Sequence, residues 1–293
     1  MSFVFLFVQL VLPATLRNSI VKIRTFHDVG LGNTLKSFIS AYSIYENTVI
    51  ESGNFPTGQY DTVLPSRFLY NATGLSHVNF LDYDCWRWRV LKIEEVSQTT
   101  LENDYSNGFE CDTSLANFFS SRVKIDLFYN RALLADAVFT RLYNTIRKIQ
   151  FRNEIINTVD RFHLNSHDSL AVSVRTWTAE HEHNVGRRYS FDEYATAISH
   201  SLYTEPNIRN VVLSVDNPST FPVYMKYLSQ FSNVTVIPLF RDDAESNLNS
   251  LQKSVVKMLL MSKCRFFICS RVSTFSELVF WFSGCTQKVT ALF

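Results

Sequence analysis

Residues 211–238, VVLSVDNPSTFPVYMKYLSQFSNVTVIP, contain two short apolar runs separated by a segment with helical spacing. Strands made of unbroken apolar residues are buried on both faces, as in a parallel sheet covered by helices. The stretch therefore predicts a strand at 211–215, a helix at 220–231 and a second strand at 234–238.

The same alternation continues on both sides of this unit. Ser190 and Glu193 have the spacing of a capping box, and Gly284 marks a helix end. The further elements predicted are strands at 170–174 (LAVSV), 265–269 (RFFIC) and 288–292 and helices at 190–202, 249–262 and 274–283. The C-terminal part is therefore predicted to be an α/β domain with a doubly wound parallel sheet.

The N-terminal half opens with a strand at 19–26, a glycine turn and a helix at 34–45, which is the order of a Rossmann-like unit. A strand at 48–51 follows, whereas 52–112 is rich in turns and aromatic residues and gives no assignment. Residues 125–163 predict one long helix or two. A polar break after this segment divides the chain into predicted domains at 1–165 and 166–293.

The composition excludes several classes of function. Lys and Arg (28) nearly balance Asp and Glu (27), so no global field attracts nucleic acid or an anionic membrane. With 293 residues, 46% of them hydrophobic, the chain is long enough for two ordinary cores. Any anion site must therefore be a local pocket.

The cysteines and the N-terminal segment bear on the cellular compartment of the protein. Five cysteines without a CxxC pair argue against a disulfide framework and a structural zinc site, so we expect a reducing compartment, the cytoplasm. The apolar segment 3–12 (FVFLFVQLVL) has no preceding Lys or Arg and is too short to span a bilayer. We expect a buried strand or a membrane contact there, with membrane association or a secretory lumen as the alternatives.

Ligands of such a sheet bind at the carboxyl ends of its strands. Arg175 follows 170–174, Asp216 follows 211–215, and Ser273 and Thr274 open the helix after 265–269. A helix start offers unpaired amides to an anion, and a planar guanidinium suits a diphosphate. The ordinary explanations are a salt bridge from Arg175 to Asp216 or Asp243 and a cap at Thr274 that pairs with Glu277.

Three other motifs are weaker evidence for a nucleotide or metal site. The turn at Gly30 and Gly32 lacks the third glycine of a dinucleotide fingerprint and is not followed by a P-loop lysine. Asp82 and Asp84 form an Asp-x-Asp pattern, which carries Mn²⁺ or Mg²⁺ through oxygen ligands in metal-dependent glycosyltransferases of a different fold. His181-Glu182-His183 has no further ligand at a useful spacing. We therefore assign no metal site.

Three motifs resemble the fucosyltransferase-like glycosyltransferases of two-domain (GT-B) architecture, which include protein O-fucosyltransferases and α1,2- and α1,6-fucosyltransferases. The turn at 30–33 is similar to the family's G-x-G-N turn, 173–175 to its H-x-R motif and 273–275 to its Ser-Thr-Phe loop. The resemblance implies two Rossmann-like domains that face a cleft. Ser173 replaces the usual His, Thr178 stands where many members have Asp, and Leu31 replaces an Arg of some members.

The resemblance also implies roles. Arg175 would bind the β-phosphate and stabilise the leaving nucleotide in an inverting transfer that needs neither metal nor cofactor. Asp28 and Glu180 are the main candidates for the base, beside His27 and Glu182. The residues implied in donor-nucleotide binding are Gly30, Gly32, Asn33, Arg175, Asp216, Ser273, Thr274 and Phe275.

The partners implied are a nucleotide sugar and a glycan or glycoprotein acceptor, with no nucleic acid. GDP-fucose is the donor that the family suggests, and UDP-xylose is an alternative because the residues that recognise the base are not readable from the sequence. A non-catalytic protein that binds nucleotide or glycan through the same fold is the other hypothesis.

Overall fold

The computed structural model describes residues 20–23, 31–42, 48–50, 60–69, 80–83, 143–176, 189–240, 247–270 and 273–292. They form an α/β structure with two parallel sheets. The smaller sheet has the order β2-β1-β3 and consists of β1 (Ile20–Ile23), β2 (Thr48–Ile50) and β3 (Phe80–Tyr83). Helix α1 (Leu31–Tyr42) lies between β1 and β2 in the chain.

The larger sheet has five parallel strands in the order β6-β5-β4-β7-β8. Its strands are β4 (Ser169–Val174), β5 (Asn210–Val215), β6 (Thr235–Pro238), β7 (Phe266–Ser270) and β8 (Lys288–Leu292). Its helices, with the one that precedes it, are α2 (Asn153–Asp160), α3 (Phe191–Thr204), α4 (Phe221–Leu228), α5 (Ser250–Ser262) and α6 (Thr274–Phe282). The predicted α/β class and parallel sheet are confirmed.

The three central strands are buried on both faces because their side chains alternate between two hydrophobic layers. Val172 and Leu213 pack in the layer under α3 and α4, whereas Ala171 and Val212 pack in the layer under α5 and α6. The outer strands β6 and β8 are partly exposed, since each pairs with a neighbour on one side. The expectation of burial on both faces thus holds for β4, β5 and β7.

Helix α1 belongs to the same core as the C-terminal helices. Leu35 and Phe38 are fully buried in the layer that contains Leu278 and Val279 of α6. The Phe38 ring also stacks on Tyr42 and meets the ring of Phe68 edge to face, each at 5.5 Å between centroids. The N-terminal helix is therefore held against the helix that follows β7.

A second contact joins the two halves at the start of α5. Asn249 caps α5 through a capping box with Gln252. The Asn249 amide also donates to Thr62 Oγ1 at 3.1 Å, and the Gln252 amide donates to the Thr62 carbonyl at 3.3 Å. The helix start thus fixes the short 3₁₀ turn Tyr60–Thr62 as well as its own amides.

The structure adds detail at three places. Helix α1 begins at Leu31, so Gly32 and Asn33 lie in its first turn and not in a turn before it. Strand β3, in the segment 52–112 for which no element was predicted, pairs in parallel with β1. In the described part of the segment 125–163, residues 143–148 and α2 are separate helical pieces, because Arg152 has extended backbone angles (φ −62°, ψ 151°).

Two cysteines are deeply buried beside the larger sheet. Cys264 and Cys269 are free thiols, at most 1% exposed, and burial raises the pKa of both well above the ordinary value. Within the described ranges, no helix is both long and apolar enough to cross a membrane. The apolar segment 3–12 lies outside those ranges.

Candidate functional site

The carboxyl ends of three adjacent strands bring together residues that are distant in sequence. Arg175 follows β4, which lies between β5 and β7 in the sheet. Asp216 follows β5 on one side, and Ser273 lies just after β7 on the other. The parallel sheet thus places a cation beside a helix start at the edge where ligands of such sheets bind.

Asp216 fixes the chain after β4. Its carboxylate accepts the Thr176 N–H with both oxygens, at 2.9 and 2.8 Å, and the Thr176 hydroxyl at 2.7 Å. The Asp216 N–H donates to the Val174 carbonyl at 3.2 Å. These bonds tie the exit of β4 to the exit of β5. Donor-nucleotide binding by Asp216 stays a prediction.

Arg175 is held from the opposite side by a tyrosine of α3. Its backbone N–H donates to the phenol oxygen of Tyr194 at 3.1 Å. The Tyr194 side chain is fully buried, whereas Arg175 is half-buried. The arginine therefore stands on a fixed backbone at the end of the central strand.

The helix start after β7 is built differently from the prediction. Ser273 is the N-cap of α6: its hydroxyl accepts the Ser276 N–H at 3.3 Å, and its carbonyl accepts the Glu277 N–H at 2.9 Å. The prediction of a cap at Thr274 with a capping box to Glu277 is wrong. Ser273 has the extended angles of an N-cap, so the third helical residue is Ser276 and Glu277 lies one position too far on.

Comparison with known proteins supports one architecture. No protein-family model matches the chain, and no curated protein matches its sequence. Solved structures do match in fold. A mutant of Arabidopsis thaliana FUT1 in complex with GDP has a TM-score of 0.58 at 13% identity, over 96% of this chain and 72% of that one. POFUT1 in complex with GDP has a TM-score of 0.53 at 11% identity, over 94% and 98%.

The chain has a fucosyltransferase-like fold. POFUT1 in complex with GDP-fucose agrees, with a TM-score of 0.50 at 11% identity over 94% of this chain and 98% of that one. The resemblance drawn from the three short motifs and the predicted GT-B class are therefore confirmed as statements about the fold.

Within the fucosyltransferase-like fold, several predicted site residues can be placed. Gly32 is buried in the first turn of α1, next to Asn33 in the chain. Thr274 is the first residue of α6, and Phe275 is partly buried against the hydrophobic core. The predicted residues that lie outside the described part of the chain are Asp28, Gly30 and Glu180, together with the further base candidates His27 and Glu182.

The metal motifs fall mostly outside the described residues. Asp82 lies in β3, where its backbone pairs with that of Lys22, whereas Asp84 and the segment 181–183 are not described. In the part of the chain that the structure covers, no three His, Cys, Asp or Glu side chains form a group able to hold a metal ion.

The sequence did not predict two residues that hold the carboxyl ends of β4 and β5. Tyr194 and Thr176 are the partners of Arg175 and Asp216. Helical spacing after the capping box at Ser190 could have placed Tyr194 on the buried face of α3. No local signal indicates that its hydroxyl reaches the end of β4, because that contact depends on how α3 packs on the sheet.

The cap correction gives a stability prediction. Ser273→Ala removes the acceptor for the Ser276 N–H, and we expect it to lower the free energy of unfolding by about 1 kcal/mol. The matched control is Thr274→Ala, which leaves the Ser273 cap hydroxyl in place and is expected to cost less than about 0.5 kcal/mol. Urea denaturation of both variants measures the difference. A larger loss in Thr274→Ala would contradict the assignment of the cap.

Proposed function

We propose that this chain is an inverting glycosyltransferase that needs no metal, and that it transfers fucose from GDP-fucose to a hydroxyl of a glycan or protein. The observation that carries the proposal is the position of Arg175 at the end of the central strand, beside the start of α6. The fold supports it, because FUT1 and POFUT1 with this architecture were solved with GDP or GDP-fucose.

The chemistry required is stabilisation of a departing diphosphate. When the bond between the sugar and the β-phosphate oxygen breaks, negative charge grows on the nucleotide. The Arg175 guanidinium can bind two phosphate oxygens at once, and charge-assisted bonds of this kind are about twice as strong as neutral ones. Such stabilisation acts on charge that develops in the transition state, so it accelerates the reaction.

The helix start supplies the second set of donors. The N–H groups at the first positions of a helix have no carbonyl four residues earlier to bind. In α6 the cap hydroxyl of Ser273 takes the Ser276 N–H, which leaves the amides of Thr274 and Phe275 at the front of the helix. A diphosphate is the ligand proposed there, since the dipole of α6 also favours an anion.

The acceptor hydroxyl attacks the anomeric carbon from the face opposite the leaving diphosphate, which inverts the configuration. Its proton passes to a carboxylate, and we propose Asp28 or Glu180 for this role. In the sequence, Asp28 lies shortly before α1, and Glu180 lies shortly after β4 and Arg175. Asp28→Asn and Glu180→Gln separate the two, because only the variant that has lost the base loses transfer while keeping donor binding.

Independence from metal gives a direct prediction. Because cationic and amide donors neutralise the diphosphate in this proposal, excess EDTA is expected to leave transfer unchanged within about two-fold. The measurement is initial rate with and without EDTA, using protein dialysed against chelator. If EDTA abolishes transfer and Mn²⁺ restores it, the metal-free mechanism is wrong, and Asp82 and Asp84 become the ligands to test by mutation.

A ligand panel tests the donor. A compound that binds only the native state raises the melting temperature, so GDP, GDP-fucose, UDP and UDP-xylose can be compared in one experiment. Stabilisation by GDP and GDP-fucose, followed by slow hydrolysis of the sugar nucleotide, is the expected result. Stabilisation by UDP compounds alone would reassign the donor. Binding without transfer or hydrolysis would make the chain a non-catalytic nucleotide-binding protein.

A further inference from the structure

The backbone at Arg175 leaves the sheet at a defined point. Strand β4 pairs with β7 from Leu170 to Ser173 and with β5 through Val174. Just past the end of β4, the Arg175 N–H donates to the phenol oxygen of Tyr194 at 3.1 Å. A side chain of α3 thus bonds the backbone of the residue that we propose binds phosphate.

Tyr194 is itself held rigidly. Its ring meets Tyr189 edge to face at 6.3 Å between centroids and meets Tyr224 in the same way at 6.1 Å. Tyr224 in turn packs edge to face on Phe191 at 5.1 Å. Aromatic pairs with this geometry are stabilising beyond their buried area, so the position of the phenol oxygen is well determined.

The surroundings of the phenol keep it neutral. Burial raises the pKa of Tyr194 far above its ordinary value, and the bond from the Arg175 N–H opposes that rise only in part. The buried Ser270 hydroxyl at the end of β7 also lies near the phenol, although it does not complete a well-formed hydrogen bond. The phenol therefore stands between the exits of β4 and β7, the strands that lead to Arg175 and Ser273.

The charge of Asp216 acts on the neighbouring Tyr224. Burial raises the pKa of Tyr224, and the negative charge of Asp216 raises it further. Asp216 in turn accepts the N–H of Thr176, the residue after Arg175. The two residues after β4 are therefore anchored on both sides, by Tyr194 at Arg175 and by Asp216 at Thr176.

We propose that Tyr194 is a positioning residue that sets the guanidinium of Arg175 for the β-phosphate by accepting its backbone N–H. The inference rests on the proposed function, because it assigns Tyr194 an effect on diphosphate binding through Arg175. Tyr194 does not touch the ligand in this scheme. It fixes the backbone that carries the charged side chain, and small displacements of such a group weaken a bidentate contact.

Tyr194→Phe keeps the ring and removes the acceptor. We expect GDP to bind about three- to ten-fold more weakly, with GMP binding unchanged because GMP lacks the β-phosphate. The matched control is Tyr227→Phe, which removes a phenol from the same aromatic network. Tyr227 donates to the Ala195 carbonyl at 2.8 Å and pairs with Ser199, away from Arg175. GDP binding to this control should equal that of the wild type.

A double-mutant cycle separates positioning from a general structural role. If Tyr194 acts through Arg175, Tyr194→Phe should have no further effect on GDP affinity in the Arg175→Ala background. An equal loss in both backgrounds would overturn the proposal. So would an equal loss of GDP and GMP binding in Tyr194→Phe alone.

Amide exchange provides a readout that needs no ligand. In Tyr194→Phe the Arg175 N–H should exchange with solvent at least about five-fold faster than in the wild type, while the amides of β5 stay protected. Unchanged exchange at Arg175 would overturn the positioning role. If the wild type binds no nucleoside diphosphate, the proposed function fails, and the exchange measurement still decides whether Tyr194 holds the Arg175 backbone.

Discussion

Arg175→Ala is expected to lower sugar transfer by on the order of 10² or more, because it removes a charge-assisted contact to the departing diphosphate. The loss should be larger in kcat than in donor affinity, since the leaving group gains charge as the bond breaks. Initial rates at saturating and limiting donor measure the two effects separately. The fold should survive, because the Arg175 side chain is half-buried and only its backbone N–H bonds to Tyr194.

Arg209→Ala is the matched control for the loss of a positive charge. Arg209 lies just before β5, at the amino ends of the strands, and its side chain donates to the Pro206 carbonyl at 2.6 Å. It has the same charge and adjoins the same sheet, but it lies at the end of the strands opposite to Arg175. Near-normal turnover in Arg175→Ala, or an equal loss in Arg209→Ala, would remove Arg175 from the mechanism.

The largest expected effect on stability is that of Phe38→Ala, at about 3–5 kcal/mol. Phe38 is fully buried in the layer shared by α1 and α6, and it contacts both Tyr42 and Phe68. The substitution leaves a cavity where the N-terminal helix packs on the C-terminal helices. The free energy of unfolding from urea denaturation measures the loss.

Phe38→Leu is the control, because it keeps most of the buried volume and should cost less than the alanine variant. A loss below about 1 kcal/mol in Phe38→Ala would mean that the cavity is filled by relaxation or that α1 contributes little to the core. Since α6 begins at the proposed phosphate site, GDP affinity of the folded Phe38→Ala protein would also show whether packing of α1 supports that site.

The larger sheet could be predicted because its strands are short apolar runs between helices with clear caps. The predicted strand at 288–292 coincides with β8, and the capping box at Ser190 and Glu193 is present. Gly284 ends α6 with a φ of +71°, a conformation that glycine adopts without a steric penalty. These features depend on local sequence, which is why the sequence alone was sufficient.

The parts that could not be predicted depend on tertiary contacts. Strand β3 lies in a stretch without clear periodicity, and its pairing with β1 gives it its conformation. Both Ser273 and Thr274 are residue types that suit an N-cap, so the sequence could not distinguish them, whereas the extended backbone of Ser273 identifies it as the cap. The Tyr194 contact joins residues 19 positions apart through the packing of α3 on the sheet.

The two buried thiols beside the larger sheet can report transient opening of the native structure. A thiol must be ionised and accessible to react, and Cys264 and Cys269 are neither in the native state. Alkylation at these sites therefore proceeds only through molecules that are transiently open. Cys269 lies on β7, next to the strand that leads to Arg175, and Cys264 follows the C-cap of α5. The rate of alkylation at each cysteine, measured by mass spectrometry of its peptide, would give separate opening rates for the sheet and for the helices that cover it.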